Sequence, residues 1–191
     1  MKCILFIVFF MAGFLSVSAQ TYNEWIDKSF ECIESEDWTG AEKALIGALR
    51  VQPANPQNAL LLSNLGTIQR KMGKNDEALK SYTNALMITP RSVTLLMNRA
   101  ALFSEMEKFD DALKDYNQVL MLDDKEEDAL YLRGLIRLEK NDTTACRKDF
   151  EQLLKINPKS SNARIGLAAL MKLRGYYTEA IDLYTQVIRV N

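Results

Sequence analysis

Apolar residues return along this chain at helical spacing, in runs that come two by two. Leu61, Leu62, Leu65, Ile68 and Met72 form one run, and Ala78, Leu79, Tyr82, Ala85, Leu86 and Ile88 form the next. Such spacing predicts two amphipathic helices of about 14 residues each, with these side chains turned inward. Gly73-Lys74-Asn75 interrupts the first helix. Asp76-Glu77 suit the positive end of the second. Pro90 stops it, because proline has no amide donor and crowds the preceding turn. An earlier pair reads the same way. Trp25, Ile26, Phe30 and Ile33 precede Asp37, and Ala41, Ala44, Leu45, Ala48 and Leu49 follow it up to Pro53.

The pairs recur at a fixed interval. Gly66, Ala100, Gly134 and Ala168 lie 34 residues apart, as do Ala78, Ala112, Cys146 and Ala180, and also Tyr82, Tyr116, Phe150 and Tyr184. Three columns on one period mark a repeat array. The copies fall at about 22–55, 59–92, 93–126, 127–160 and 161–191, with Pro56-Gln57-Asn58 inserted after the first. Helix breaks are expected near Glu107-Lys108, Asn141-Asp142 and Gly175, and Asp124 stands where other copies have proline. One short helix pair cannot bury its apolar face alone, so the copies must stack into a continuous core. Small residues in the glycine and alanine columns admit a neighbouring helix, and the aromatic column fills the space between pairs. Gly134→Leu is expected to overpack that space at a cost of ~1–3 kcal/mol.

The columns Asn64-Leu65-Gly66, Asp76-Glu77-Ala78, Tyr82, Ala85 and Pro90 resemble the tetratricopeptide repeat pattern. The resemblance covers Tyr22 to Asn191 in five copies. Ser29 and Leu45 depart from it in the first, Cys146 and Asp124 later, while Trp25 fits the tryptophan column. It implies an all-α, right-handed α-solenoid of antiparallel helix pairs whose first helices line a concave groove. That groove would hold a peptide or partner protein without chemistry of its own.

Groove positions carried over from the family fall on Ile26, Phe30 and Ile33 in the first copy. They continue as Ser63, Thr67 and Arg70, then Met97, Ala101 and Ser104, then Tyr131, Leu135 and Leu138, and finally Ile165, Ala169 and Lys172. The family's carboxylate clamp for acidic chaperone tails needs a basic pair. The matching positions here are Ser63, Thr67, Asn98, Asp128 and Leu132, so that ligand is rejected. The third to fifth copies instead present Met97, Tyr131, Leu135, Leu138 and Ile165, which suits an apolar or amphipathic partner segment. Alternatively these side chains pack on one another. Leu138→Asp separates the two: an open groove loses its partner at an unchanged thermal midpoint, whereas a core position loses stability. At the last helix, Ile181, Tyr184, Ile188 and Val190 form a second apolar strip, an expected docking or self-association end unless Asp182, Gln186 and Arg189 keep it soluble.

Composition narrows the function without naming it. With 24 basic and 25 acidic residues the formal charge is −1, which offers no basic stripe for nucleic acid. Histidine is absent, and neither a nucleophile motif, a phosphate loop nor metal-ligand spacing is present, so no enzyme, cofactor or metal is expected. Asp123-Asp124 and Glu126-Glu127-Asp128 lack the ligand order of a calcium loop and read as a solvated helix start. Asn141-Asp142-Thr143 is a glycosylation sequon on a turn, relevant in a eukaryotic source.

Residues 1–20 differ in kind. Lys2 precedes an apolar run from Ile4 to Leu15, and Val17-Ser18-Ala19 ends in a small-x-small cleavage pattern before Gln20. The run is short for a membrane span, so it is read as a signal peptide, with an uncleaved anchor as the alternative. Cys3 would leave with it. Cys32 and Cys146 belong to copies that do not touch in a stack, and are expected as buried free thiols. The sequence thus describes a periplasmic or secreted module, 21–191, that binds a protein or peptide. The alternative is a structural subunit of an envelope assembly that joins copies through its last repeat.

Overall fold

The computed structural model describes residues 21–190, the side chain of Val190 excepted. The signal peptide read over residues 1–20 and Val190 as a member of the last strip lie outside that description. Every described element is a helix. α1 covers residues 21–34. It is followed by α2 Trp38–Val51, α3 Asn58–Lys71, α4 Asn75–Ile88, α5 Val93–Glu105 and α6 Phe109–Leu122. α7 Glu127–Glu139, α8 Thr143–Ile156, α9 Ser161–Leu173 and α10 Tyr177–Val190 complete the order. The chain forms two compact units, Met1–Leu95 and Leu96–Asn191.

Each pair is closed by the same local device. Glu36, Gly73, Glu107, Asn141 and Gly175 all have φ between 57° and 79°, in the left-handed region. The residue after each returns its amide to a carbonyl five positions back, as in Asp37 to Cys32, Lys74 to Gln69, Lys108 to Phe103, Asp142 to Arg137 and Tyr176 to Met171. This is the Schellman end of a helix, which satisfies a carbonyl the helix leaves orphaned. Where an aspartate follows, it also caps the next helix: Asp37 accepts from Gly40 N–H and Asp142 from Ala145 N–H.

In the first unit the core gathers Tyr22, Ala41, Leu45, Ala48, Leu61, Leu65 and Ile68, with Trp25, Ile26 and Ile33 packed against it. The inserted Asn58 has a structural task. It is buried, accepts the Tyr22 hydroxyl at 3.0 Å, and donates to the carbonyls of Gln52 and Pro53. The extra turn therefore anchors α1, and burial pushes the Tyr22 phenol above its ordinary pKa. Two side chains differ from the inward face read for α4: Leu79 is half-buried and Ile88 is 41% exposed. Ile88 is the last helical residue, where the turn of the helix has carried it past the buried stripe.

In the second unit α7 packs on α8, and both pack on α9, which carries α10. Phe150 is fully buried between two glycines. A β-carbon at Gly134 of α7 or at Gly166 of α9 would stand 2.5 Å from its ring. The small column and the aromatic column thus meet as their spacing required. Cys146, in the alanine column, is buried, and burial raises its thiol pKa. Cys32 is half-buried, and both are free thiols.

Candidate interaction surface

A column that the apolar pattern did not reveal runs through the second unit. Arg99 and Arg133 are 34 residues apart, as are Asp115 and Asp149. Arg99 grips Asp115 through Nε and Nη2, each at 2.8 Å. Arg133 grips Asp149 at 3.1 and 2.6 Å, while Arg137 reaches the same carboxylate at 2.6 Å and Arg133 also holds Asn117 at 2.8 Å. Both aspartates are buried, Asp149 to 1% exposure. Such forks fix one helix of a pair against the other and leave neither oxygen of the buried carboxylates without a partner. The recurrence at the common period was readable in the sequence, but only to a reader pairing charges as well as apolar columns.

The positions carried over for a groove have the following surroundings. In α3, Ser63 and Arg70 are half-buried and Thr67 is exposed, its hydroxyl 3.0 Å from that of Tyr82. In α5, Met97, Ala101 and Ser104 are half-buried, with Ser104 Oγ donating to the Ala100 carbonyl. Tyr131, Leu135 and Leu138 of α7 are half-buried and pack against the cluster of Cys146, Phe150, Leu167 and Leu170. The Tyr131 and Phe150 ring centroids are 6.3 Å apart. In α9, Ile165 and Ala169 are half-buried and Lys172 is exposed.

Three of these residues meet in one depression. Leu138, Ala169 and Lys172 line a cavity of about 680 Å³ together with Glu139, Asn141, Leu173, Tyr177 and Tyr184. Tyr184, assigned to the docking end, is therefore shared between the two surfaces. The depression is apolar, with a lysine and a glutamate beside the leucines and tyrosines. That combination can hold an amphipathic segment. On α10, Ile181 and Ile188 stand exposed outside this depression. The acidic stretch at 123–128 is occupied locally: Asp123 accepts the Lys125 amide and Glu127 accepts from Asn157 Nδ2. Among the described residues no group of three or more histidine, cysteine or carboxylate side chains is placed to hold a metal ion, and no helix is long and apolar enough to cross a membrane.

Family models described as tetratricopeptide repeat match residues 61–94 and 128–160. No curated protein matches the chain. Among solved structures, the chain is similar to a tetratricopeptide repeat protein from Parabacteroides merdae, at 42% identity and a TM-score of 0.86. That match covers 89% of this chain and 66% of the other, slightly under two thirds of its length. MamA from Desulfovibrio magneticus is similar in fold alone, with 15% identity, a TM-score of 0.80, and coverage of 89% and 94%. The first repeat domain of Spaghetti (RPAP3), bound to the HSP90 peptide SRMEEVD, aligns at 29% identity and a TM-score of 0.59, over 63% of this chain and 96% of that one. The columns, the paired helices and these likenesses agree: the chain carries tetratricopeptide repeats, and its fold is the all-α solenoid of helix pairs that such repeats build.

Proposed function

We propose that this chain is an exported scaffold whose second unit holds an apolar or amphipathic segment of a partner protein along α5, α7 and α9. The observation that supports this reading is the depression shared by Leu138, Ala169 and Lys172, which joins an apolar floor to an exposed cation. Repeats of this kind serve as interaction scaffolds, and the reading asks for no bond-making step. The peptide mode of the Spaghetti domain is not carried over, because Asp128 and Leu132 stand where a clamp needs its basic pair. The partner is accordingly not an acidic chain terminus. Export rests on the leader-like residues 1–20 and puts the module in the periplasm or secreted space.

Leu138 packs partly on the core cluster, so its replacement by aspartate tests stability together with binding. Ala169→Glu and Lys172→Glu are cleaner. Affinity capture from the native envelope should lose the same partner with both variants while the thermal midpoint moves by only a few degrees, about 1 kcal/mol or less. Retention of every partner by both variants contradicts the site. Export is tested separately by intact mass, which should show a chain that has lost its leader; the full mass from Met1 would contradict cleavage. A structural-subunit role would draw on α10 instead.

A further inference from the structure

We infer that a second cleft of the second unit, between α8 and α10 with α9 as its floor, takes up an arginine-bearing segment of a partner protein. The cleft has a volume of about 380 Å³. Leu167 and Met171 of α9 and Leu183 of α10 give it an apolar floor. Glu151 of α8, with Glu179 and Asp182 of α10, stands exposed at its rim. Helices of the chain bound it on both sides, so its opening is set by the side chains within it.

The repeat itself shows what such a place holds. Each lining residue has a counterpart 34 positions earlier, on α6, α7 or α8. There Arg133, Arg137 and Asp149 stand in place of Leu167, Met171 and Leu183, and each arginine reaches the Asp149 carboxylate at 2.6 Å. At the rim, Asn117, Ala145 and Lys148 stand in place of Glu151, Glu179 and Asp182. Leu113 and Thr144 complete the earlier set, where the cleft has Arg147 and Thr178. Charge is thereby inverted: the earlier set carries three cations and one anion, and the cleft three anions and one cation. The chain fills the first place with its own guanidinium groups. In the second it withdraws them and sets carboxylates around an apolar floor.

That combination selects its ligand. An arginine lays its methylenes on leucine and methionine while its flat, weakly hydrated guanidinium meets carboxylates at the edge. Among the described residues no three carboxylates are placed to hold a metal ion, and anionic ligands meet repulsion at this rim. Among the same residues no lysine or arginine pairs with Glu179 or Asp182, and Asp182 accepts from the neutral amide of Gln186 at 2.8 Å. Arg147, the cation of the cleft itself, lies 3.9 Å from Glu151, a loose pair of the weak surface kind. No residue of this cleft lines the depression at Leu138 and Lys172, so the two readings fail separately.

Titration of the whole isotope-labelled protein with an end-blocked Leu-Arg-Leu-Arg-Leu peptide, followed by amide NMR shifts, tests the inference. A control peptide carries citrulline, which keeps the shape of arginine without its charge. Shifts should map to Leu167, Met171, Glu179 and Asp182, and the citrulline peptide should bind at least ~10-fold more weakly. Glu179→Gln combined with Asp182→Asn should cost a similar factor. Arg147→Ala should tighten binding ~2–3-fold, because it removes the competing cation. Glu179 and Asp182 are exposed, and unchanged helical circular dichroism will show that the variants fold. Equal binding of the two peptides overturns the proposal, as do no binding at millimolar peptide or shifts confined to the depression at Lys172. An affinity indifferent to the paired Glu179 and Asp182 substitutions, or weakened by Arg147→Ala, overturns it as well.

Discussion

Five positions carry the same backbone conformation with different side chains. Gly73 and Gly175 adopt positive φ with nothing within 4 Å of an added β-carbon, so only the backbone determines the cost of changing them. Gly73→Ala should therefore lower stability by about 1 kcal/mol, read as a fall in thermal midpoint. Glu36 and Glu107 occupy the same place at φ 58° and 57°, with the strain a β-carbon brings there. Glu107→Gly should accordingly gain roughly 0.5–1 kcal/mol, an opposite sign at an equivalent site. An unchanged midpoint in both variants would mean the conformation carries no strain. These breaks were legible in the sequence at Gly73 and Gly175. At Glu107 they followed only from the repeat, because glutamate is no turn signal by itself.

Helices are joined to their neighbours by two polar devices that hydrophobic periodicity does not report. The arginine–aspartate forks are one. The fifth repeat has Leu167 and Leu183 where the fourth has Arg133 and Asp149, so the fold accommodates either chemistry at that column. Asp149→Ala strands two arginines and should cost ~3–5 kcal/mol in denaturant unfolding, whereas Arg99→Leu with Asp115→Leu should cost much less than Asp115→Leu alone. Equal losses in the single and double variants would show that the pair itself is not what matters. The other device is Glu42 of α2, which accepts from Gln69 of α3 at 3.1 Å and from Lys74 at 2.5 Å, while Ser81 of α4 donates to Gln69. Burial opposes its ionisation, but the hydrogen bonds from Lys74 and Gln69 prevail and hold its carboxyl below the usual 4.5. A depressed folded pKa contributes stability that is complete above about 4.5 and lost as pH falls through the folded value. Glu42→Gln should flatten the stability–pH curve in that acid range; an unchanged slope contradicts the assignment.

The helix pairs were readable throughout, because an apolar stripe, a small column and an aromatic column shared one period. What the sequence left undecided was how far the inner-face residues turn outward. Tyr131, Leu135 and Leu138 read as groove residues with core packing as the alternative, and the structure leaves them half-buried against the Phe150 cluster. Burial of that kind depends on how neighbouring helices approach, which no single-residue pattern encodes. The apolar inner positions from Met97 to Ile165 all lie within the second unit, and the polar set Ser63, Thr67 and Arg70 lies in the first. The proposed partner capture accordingly falls in the second unit, with the depression at Lys172 as its anchor. The most direct test is a photoreactive amino acid placed at Lys172 of α9 and, separately, at Lys148 of α8, which is also exposed, irradiated in the native cell. A covalent adduct with one partner protein from Lys172 and none from Lys148 is the predicted result; equal adducts from both positions, or none from Lys172, would contradict it.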